Sequence, residues 1–328
     1  MALYIKELPV REENYAEEME TRVEPYLAEL REDGFFKSFD GNEIHYEKYL
    51  IPDAEGTVVI SHGFTESAEK FREMSFCFLT MKFNVFAIDH RGHGRSWRKY
   101  PDQPQLVCID RFETYVKDLY ALVKTVVKPA VPQDKPLFLY AHSMGGAIAA
   151  QFLQTYPGVF DKAVLSAPMI QAQMPMSPGL AAAIMQAATV FGQGDKPVFA
   201  HGPYDPTATY EKSHDTSKAR FDYYHEKRNN EPLLQTNMAS NRWVRESARV
   251  VRKNLDPARC RNITCPLLLC QPAEDTSVVS EKENEFVSLL PDGRLIQFPN
   301  SRHEIFMSVD STMILYLQAI EKFLKGEE

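Results

Sequence analysis

Short apolar runs alternate with longer amphipathic stretches through most of the chain. Thr57 to Ser61, Asn84 to Asp89, Pro136 to Tyr140, Ala163 to Ser166, Pro266 to Gln271 and Arg294 to Phe298 are of strand length and rich in Val, Ile, Leu and Phe. Phe112, Tyr115, Val116, Leu119, Val123 and Val126 recur at helical spacing between the second and third runs, and Met313, Leu317, Ile320 and Phe323 mark a closing helix. Strands alternating with helices predict an α/β fold, a mostly parallel central sheet flanked by helices. Phe35 to Phe39 and Ile44 to Leu50 flank Asp40-Gly41-Asn42, a hairpin signal, and predict an antiparallel edge to that sheet.

The rhythm fails in two places. Tyr15, Met19, Val23, Leu27 and Leu30 recur at helical spacing amid glutamates, so residues 1–34 are expected to form a helical N-terminal arm with a solvated acidic face. Residues 169–241 keep no strand-helix alternation and are expected to be a cap, or lid, inserted into a core of residues 35–168 and 242–328. Met174 to Phe191 is rich in Met, Ala, Leu, Ile and Val, whereas Gln193 to Asn230 is polar. The apolar part would pack on the core or line a path for an acyl chain, with Met174 and Met176 as adaptable lining; core packing is the commoner fate.

Composition narrows the function. With 328 residues, 44% of them hydrophobic, the chain is long enough for one large α/β domain plus an insertion. A formal net charge of -8 gives no general attraction to nucleic acid, so no nucleic-acid partner is expected. Cys77, Cys108, Cys260, Cys265 and Cys270 are odd in number and scattered, which reads as reduced, buried thiols and not as a metal site. No run of about 18 apolar residues occurs. The expectation is a cytoplasmic protein, with at most peripheral contact at the inner face of a membrane.

Candidate chemistry centres on Ala141-His142-Ser143-Met144-Gly145-Gly146, between the strand ending at Tyr140 and the small-residue segment Ala147 to Leu153. A serine at a sharp strand-to-helix turn stands clear of the sheet at a helix N-terminus, a nucleophile's setting. It needs a base and an acid to orient that base. His303 follows the last strand, and Asp275 follows the strand before it, with Glu274 adjacent and chemically able to replace Asp275. The order Ser, Asp, His is that of α/β-hydrolases. His62, His142 and His303 are expected to converge at one sheet edge, and the other six histidines are not. The backbone N–H groups of Phe64 and Met144 are the expected oxyanion donors, as members of this fold supply one from the first parallel strand's loop. Asp89 to Ser96 lacks a P-loop ending and reads as a tight structural loop.

The combination of His62-Gly63, Asp89 to Ser96, Ala141 to Gly146 and Ser301-Arg302-His303-Glu304-Ile305 resembles the bacterial lysophospholipases and the related monoacylglycerol lipases. Trp243-Val244-Arg245-Glu246-Ser247 resembles the lysophospholipase branch. The resemblance implies hydrolysis of the acyl ester of a lysophospholipid or monoacylglycerol through an acyl-enzyme, without a cofactor or metal. Two departures stand out: Ala141 replaces the elbow glycine, and Pro272 and Glu274 make the acid loop unlike the usual Gly-x-x-Asp. Alternative readings are a short-chain carboxylesterase or thioesterase and a non-catalytic ligand-binding module. Lys218, Arg220, Lys227, Arg228, Arg242 and Arg245 could meet a phosphate headgroup, of which Arg242 and Arg245 are the chosen candidates; a solvated basic cluster is the favoured alternative.

Overall fold

Six apolar runs form strands, of which five are buried nearly end to end, as strands covered on both faces must be, while the last lies at the sheet edge and is largely exposed. In chain order the strands are Arg31–Lys37 (β1), Glu43–Tyr49 (β2), Gly56–Ser61 (β3), Phe83–Ile88 (β4), Leu106–Val107 (β5), Leu137–His142 (β6), Lys162–Ser166 (β7), Met238–Ala239 (β8), Leu267–Pro272 (β9) and Gly293–Phe298 (β10). The computed structural model describes residues 6–199 and 202–326. Residues 1–5 of the expected arm, Ala200 and His201 of the expected cap and the last two residues of the expected core lie outside the described residues.

The sheet runs β1-β2-β4-β3-β6-β7-β9-β10. β1 and β2 are antiparallel, β2 joins β4 antiparallel, and the remaining pairs are parallel. The strand order reverses at β3, which has β4 on one side and β6 on the other. At such a switch point a crevice opens beyond the carboxyl ends of the strands. The register brings those ends into line, pairing Ser61 with Ala141, His142 with Ser166 and Ser166 with Cys270. Apolar layers cover both faces: Val59, Phe86, Leu139, Ile148 and Phe152 on one, Val58, Val85, Tyr140, Phe78 and Leu317 on the other.

The arm is helical over Tyr15–Glu18 and Glu24–Leu30, joined by a wider turn at Met19–Val23, and buries Tyr15, Met19, Val23 and Leu27. Pro25 sits in the first turn of the second helix, where its missing N–H is harmless. β1 begins at Arg31, so the boundary expected between residues 34 and 35 falls inside a strand. Arg31, Glu32 and Asp33 pair through their backbones with Tyr49, Lys48 and Glu47 on an edge that tolerates polar side chains.

Within residues 169–241 lie the helices Pro178–Val190 and Lys218–Asn230, and β8, which pairs with β5. Serines at 177, 217 and 240 cap the helices that follow them by accepting from Leu180, Arg220 and Trp243 amides. The apolar helix Pro178–Val190 buries small residues, Ala181 and Ala182 against Ala248 of the helix Asn241–Asn254 with Met174 alongside, and its Gln186 accepts from Arg245 and Arg249 of that helix at 3.3 Å each. Leu180, Ile184, Val190, Phe191 and Phe199 stay exposed. Core packing, the commoner fate for such a segment, is therefore not adopted by its large side chains. The five cysteines are buried and form no disulfide.

Candidate active site

β6 runs into Ser143, whose backbone takes φ 51° and ψ −117°, and the helix Met144–Thr155 starts at once. The turn is possible because its neighbours are small. A Cβ on Gly145 would collide with the Ser61 carbonyl oxygen, one on Gly146 with Pro168, and one on Gly63 would lie 3.0 Å from Ser143 Cβ. Ala141, fully buried, fills the position where the pattern expects glycine. The Ser143 amide donates to Ser166 O at 3.1 Å, and its carbonyl accepts from Met169 at 2.8 Å, so the elbow is pinned on both sides.

Three strand ends meet here. His303, beyond β10, places Nε2 2.9 Å from Ser143 Oγ and Nδ1 2.8 Å from Asp275 Oδ2. Asp275, beyond β9, accepts the Ser277 and Val278 amides on Oδ1 at 2.7 and 3.1 Å. Burial pushes its carboxyl up, but the hydrogen bond and charge of His303 and the two amides outweigh this and hold it below the usual range. It is ionised at neutral pH. Glu274 is exposed, and its backbone N–H donates to Ser301 O at 3.1 Å. The arrangement can draw a proton from Ser143 to His303 while Asp275 fixes the ring.

Phe64 and Met144 flank the serine. Met144 is the first residue of the helix, and Phe64 follows Gly63, the glycine packed on Ser143. The Phe64 ring lies on Trp243 with centroids 4.2 Å apart. The four expected substrate contacts have other partners. Met174 packs on the alanines, Met176 is exposed, Arg242 Nε pairs with Asp195 at 3.0 Å, and Arg245 Nε pairs with Glu246 at 3.0 Å. Among the described residues no hydrogen bond links these four to Ser143, His303 or Asp275. The solvated basic cluster also needs correction: Arg220 is fully buried and Arg245 nearly so, because each finds carboxylates in the folded chain.

More histidines gather than expected. His62, His142 and His303 do converge, but His90 and His93 pack on His62, with ring centroids 4.6 and 5.2 Å away, and His214 lies 5.9 Å from His303. Asp89 causes the first two by drawing its own loop back: it accepts from His45 Nδ1 and from the amides of Ala68 and Arg95, and Gly94 at φ +50° leaves it room. His62 donates from Nδ1 to Gly63 O and accepts the His90 amide on Nε2. Burial pushes His62, His90 and His93 down, His93 to about 3, so all three are neutral.

A buried ionic group behind His303 went unread in the sequence. Lys70 Nζ lies 2.5 Å from Glu304 and 3.3 Å from Glu66. Glu66 also takes the Gly63 amide and His142 Nδ1 at 2.5 and 3.1 Å. The signal available was charge in turns that follow buried strands: Glu66 and Lys70 beyond β3, and Glu304 next to His303.

A family model described as "Serine aminopeptidase, S33" matches residues 52–310. The chain is 30% identical to lysophospholipase L2 of Escherichia coli over 305 residues, 89% of this chain and 87% of that protein. It is 32% identical over 160 residues to a monoacylglycerol lipase of Mycolicibacterium smegmatis, 48% of this chain and 53% of that one. A monoglyceride lipase structure from Saccharomyces cerevisiae superposes with a TM-score of 0.72 at 19% identity, covering 90% of this chain and 96% of that one. A carboxyl esterase from Bacillus coagulans does so with a TM-score of 0.73 at 20% identity, covering 90% and 98%.

Proposed function

The chain belongs to the Hydrolase_4 family of serine hydrolases, which have the α/β-hydrolase fold, and on that premise we propose that it releases a fatty acid from a lysophospholipid, with monoacylglycerol as the competing substrate. The observation that carries the proposal is the strained Ser143, hydrogen-bonded to His303 and through it to ionised Asp275. His303 Nε2 takes the Ser143 proton as Oγ adds to the ester carbonyl. The oxyanion settles against the backbone N–H groups of Phe64 and Met144, each such donor being worth about 10²- to 10³-fold in turnover. His303 then gives its proton to the departing glycerol oxygen, leaving an acyl-enzyme. Water repeats the steps on that ester, and Ser143 is restored.

The preference for a lysophospholipid rests on coverage: relatives named lysophospholipase L2 match along almost their whole length, and the cited monoacylglycerol lipase along about half. In this reading residues 169–241 form the cap. Among the described residues no helix is long and apolar enough to cross a membrane. The exposed Leu180, Ile184 and Phe191, with the exposed Arg249 and Arg252 beside them on the helix Asn241–Asn254, support peripheral contact with a lipid surface through the cap.

The test is fatty-acid release from a lysophospholipid and a monoacylglycerol with the same long acyl chain, with Ser143→Ala as the blank. Faster release from the first is expected. Faster release from the second would make the protein a monoacylglycerol lipase, activity only on short-chain esters would make it a carboxylesterase, and undiminished turnover by Ser143→Ala would remove the mechanism.

A further inference from the structure

His142 ends β6 beside Ser143, and both of its ring nitrogens face oxygen. Nδ1 lies 3.1 Å from Glu66 Oε2, and Nε2 lies 3.2 Å from the backbone carbonyl oxygen of His303. A carbonyl oxygen only accepts, so Nε2 carries a proton. Glu66 Oε2 also accepts the Gly63 amide at 2.5 Å, and Oε1 faces the Lys70 ammonium at 3.3 Å. A carboxyl group surrounded by an amide N–H and an ammonium keeps its negative charge, so the proton between Nδ1 and Oε2 belongs to the imidazole. We propose that His142 is a doubly protonated imidazolium at neutral pH, a positioning residue that ties the backbone of His303 to Glu66 and so to Gly63, next to Phe64.

The surroundings fit a fixed cation. Glu66 and Lys70 face His142 from the segment after β3, and Glu304 and the ring of His303 from the loop after β10; Phe71 and Phe306 wall the site against water. Two cations, His142 and Lys70, thus meet two carboxylates, Glu66 and Glu304. Asp215, brought in by the segment ahead of the helix Lys218–Asn230, adds no net charge, since burial and the neighbouring Glu304 keep it protonated. Burial alone would push His142 down; the charge and hydrogen bond of Glu66 outweigh it and raise its proton affinity, while Glu66 is held down at about 2. β3 and β10 stand four places apart in the sheet, with β6, β7 and β9 between them. His142 spans that gap directly beneath Ser143, joining the loop that carries the Phe64 amide to the loop that carries His303.

The catalytic consequence rests on the proposed roles of Ser143, His303 and Phe64; the protonation state does not. The experiment is ring-nitrogen NMR of the full-length protein labelled with ¹⁵N-histidine, the His142 signals being assigned by their loss in His142→Gln. Both nitrogens are expected to carry protons at pH 7, and a neutral His142 at pH 7 overturns the proposal. In Glu66→Gln the ring should lose its Nδ1 proton at a lower pH than in the parent, and kcat for ester hydrolysis should fall about 10²-fold from misplacement of the reacting groups, with KM nearly unchanged. Glu66→Asp should recover part of kcat. A folded Glu66→Gln with the kcat of the parent overturns the positioning role. Full activity in Ser143→Ala would instead overturn the triad and leave the NMR result standing.

Discussion

Ser143 occupies a backbone state that costs a residue with a side chain on the order of 1–3 kcal/mol. The cost is met by its surroundings: two backbone hydrogen bonds and glycines that admit close approach. Glycine suffers little at positive φ, so Ser143→Gly is expected to unfold at higher urea than Ser143→Ala, by about 1 kcal/mol in free energy, with both variants inactive. Equal stability of the two would place no strain at the elbow. The rival acids are neighbours in the chain, yet they face different surroundings. Asp275 is bonded to His303 and two amides, whereas Glu274 faces water. Asp275→Asn should lower kcat by roughly 10⁴-fold through the wrong ring tautomer, while Glu274→Gln stays near the parent rate. A larger loss in Glu274→Gln would move the acid. The sequence places a carboxylate after β9 but leaves two neighbours open, because only the path of the chain leaving the strand decides which one turns inward.

At the scale of elements, the core strands were legible because buried strands read as continuous apolar runs, and so were the helices that keep their period; the helix Arg72–Thr80, buried nearly all round, shows no period and went unread. The packing of the apolar helix Pro178–Val190 was not legible, since its apolar content favoured burial and its buried apolar contact, alanine on alanine, leaves the larger side chains outside. The helix Ser280–Ser288 carries a subtler feature. Glu283 is buried against β9, with Oε2 accepting from Gln271 at 2.9 Å and Oε1 lacking a hydrogen-bond partner. Burial, only partly opposed by Gln271, pushes its carboxyl up to about 8, against 4.5 for a free glutamate. Between those values the folded chain keeps a proton that the unfolded chain has lost. The stability linked to this group is therefore complete below about pH 4.5 and falls as pH rises through about 8, by at most about 1.4 kcal/mol per pH unit. Glu283→Gln removes the titration and keeps an acceptor for Gln271. Urea unfolding at pH 5, 6.5 and 8 should show the variant gaining on the parent as pH rises, and a constant difference would refute the assignment.

Across the whole molecule, arm, core and insertion are held together by a side chain that the sequence offered as part of a solvated basic cluster. Arg220, on the helix Lys218–Asn230, grips Glu73 through Nε at 3.0 Å and Nη2 at 2.8 Å. It also donates to Ser308 O and Asp310 at 3.0 and 3.2 Å, reaches Val10 O at 3.3 Å and lies over the Tyr15 ring, whose hydroxyl donates to the same Glu73. These partners lie up to 210 positions away in the chain, and neither composition nor period carries information at that range. A cation read locally looks solvated; only the assembled fold supplies the carboxylates that let it be buried. Removing one partner of a buried pair leaves the other charge uncompensated, so Arg220→Met is expected to lower the unfolding free energy by about 3–5 kcal/mol. Glu73→Gln in the same chain removes the stranded charge while keeping an acceptor for Tyr15, and the double variant should regain much of that loss. Urea unfolding of the parent, the two single variants and the double variant measures the coupling. If the two changes simply add, Arg220 is packing material, and the arm is held by the apolar contacts of Tyr15, Met19, Val23 and Leu27 and by its other polar links, Glu12 to Asp310 and Glu24 to Arg72 and Lys227.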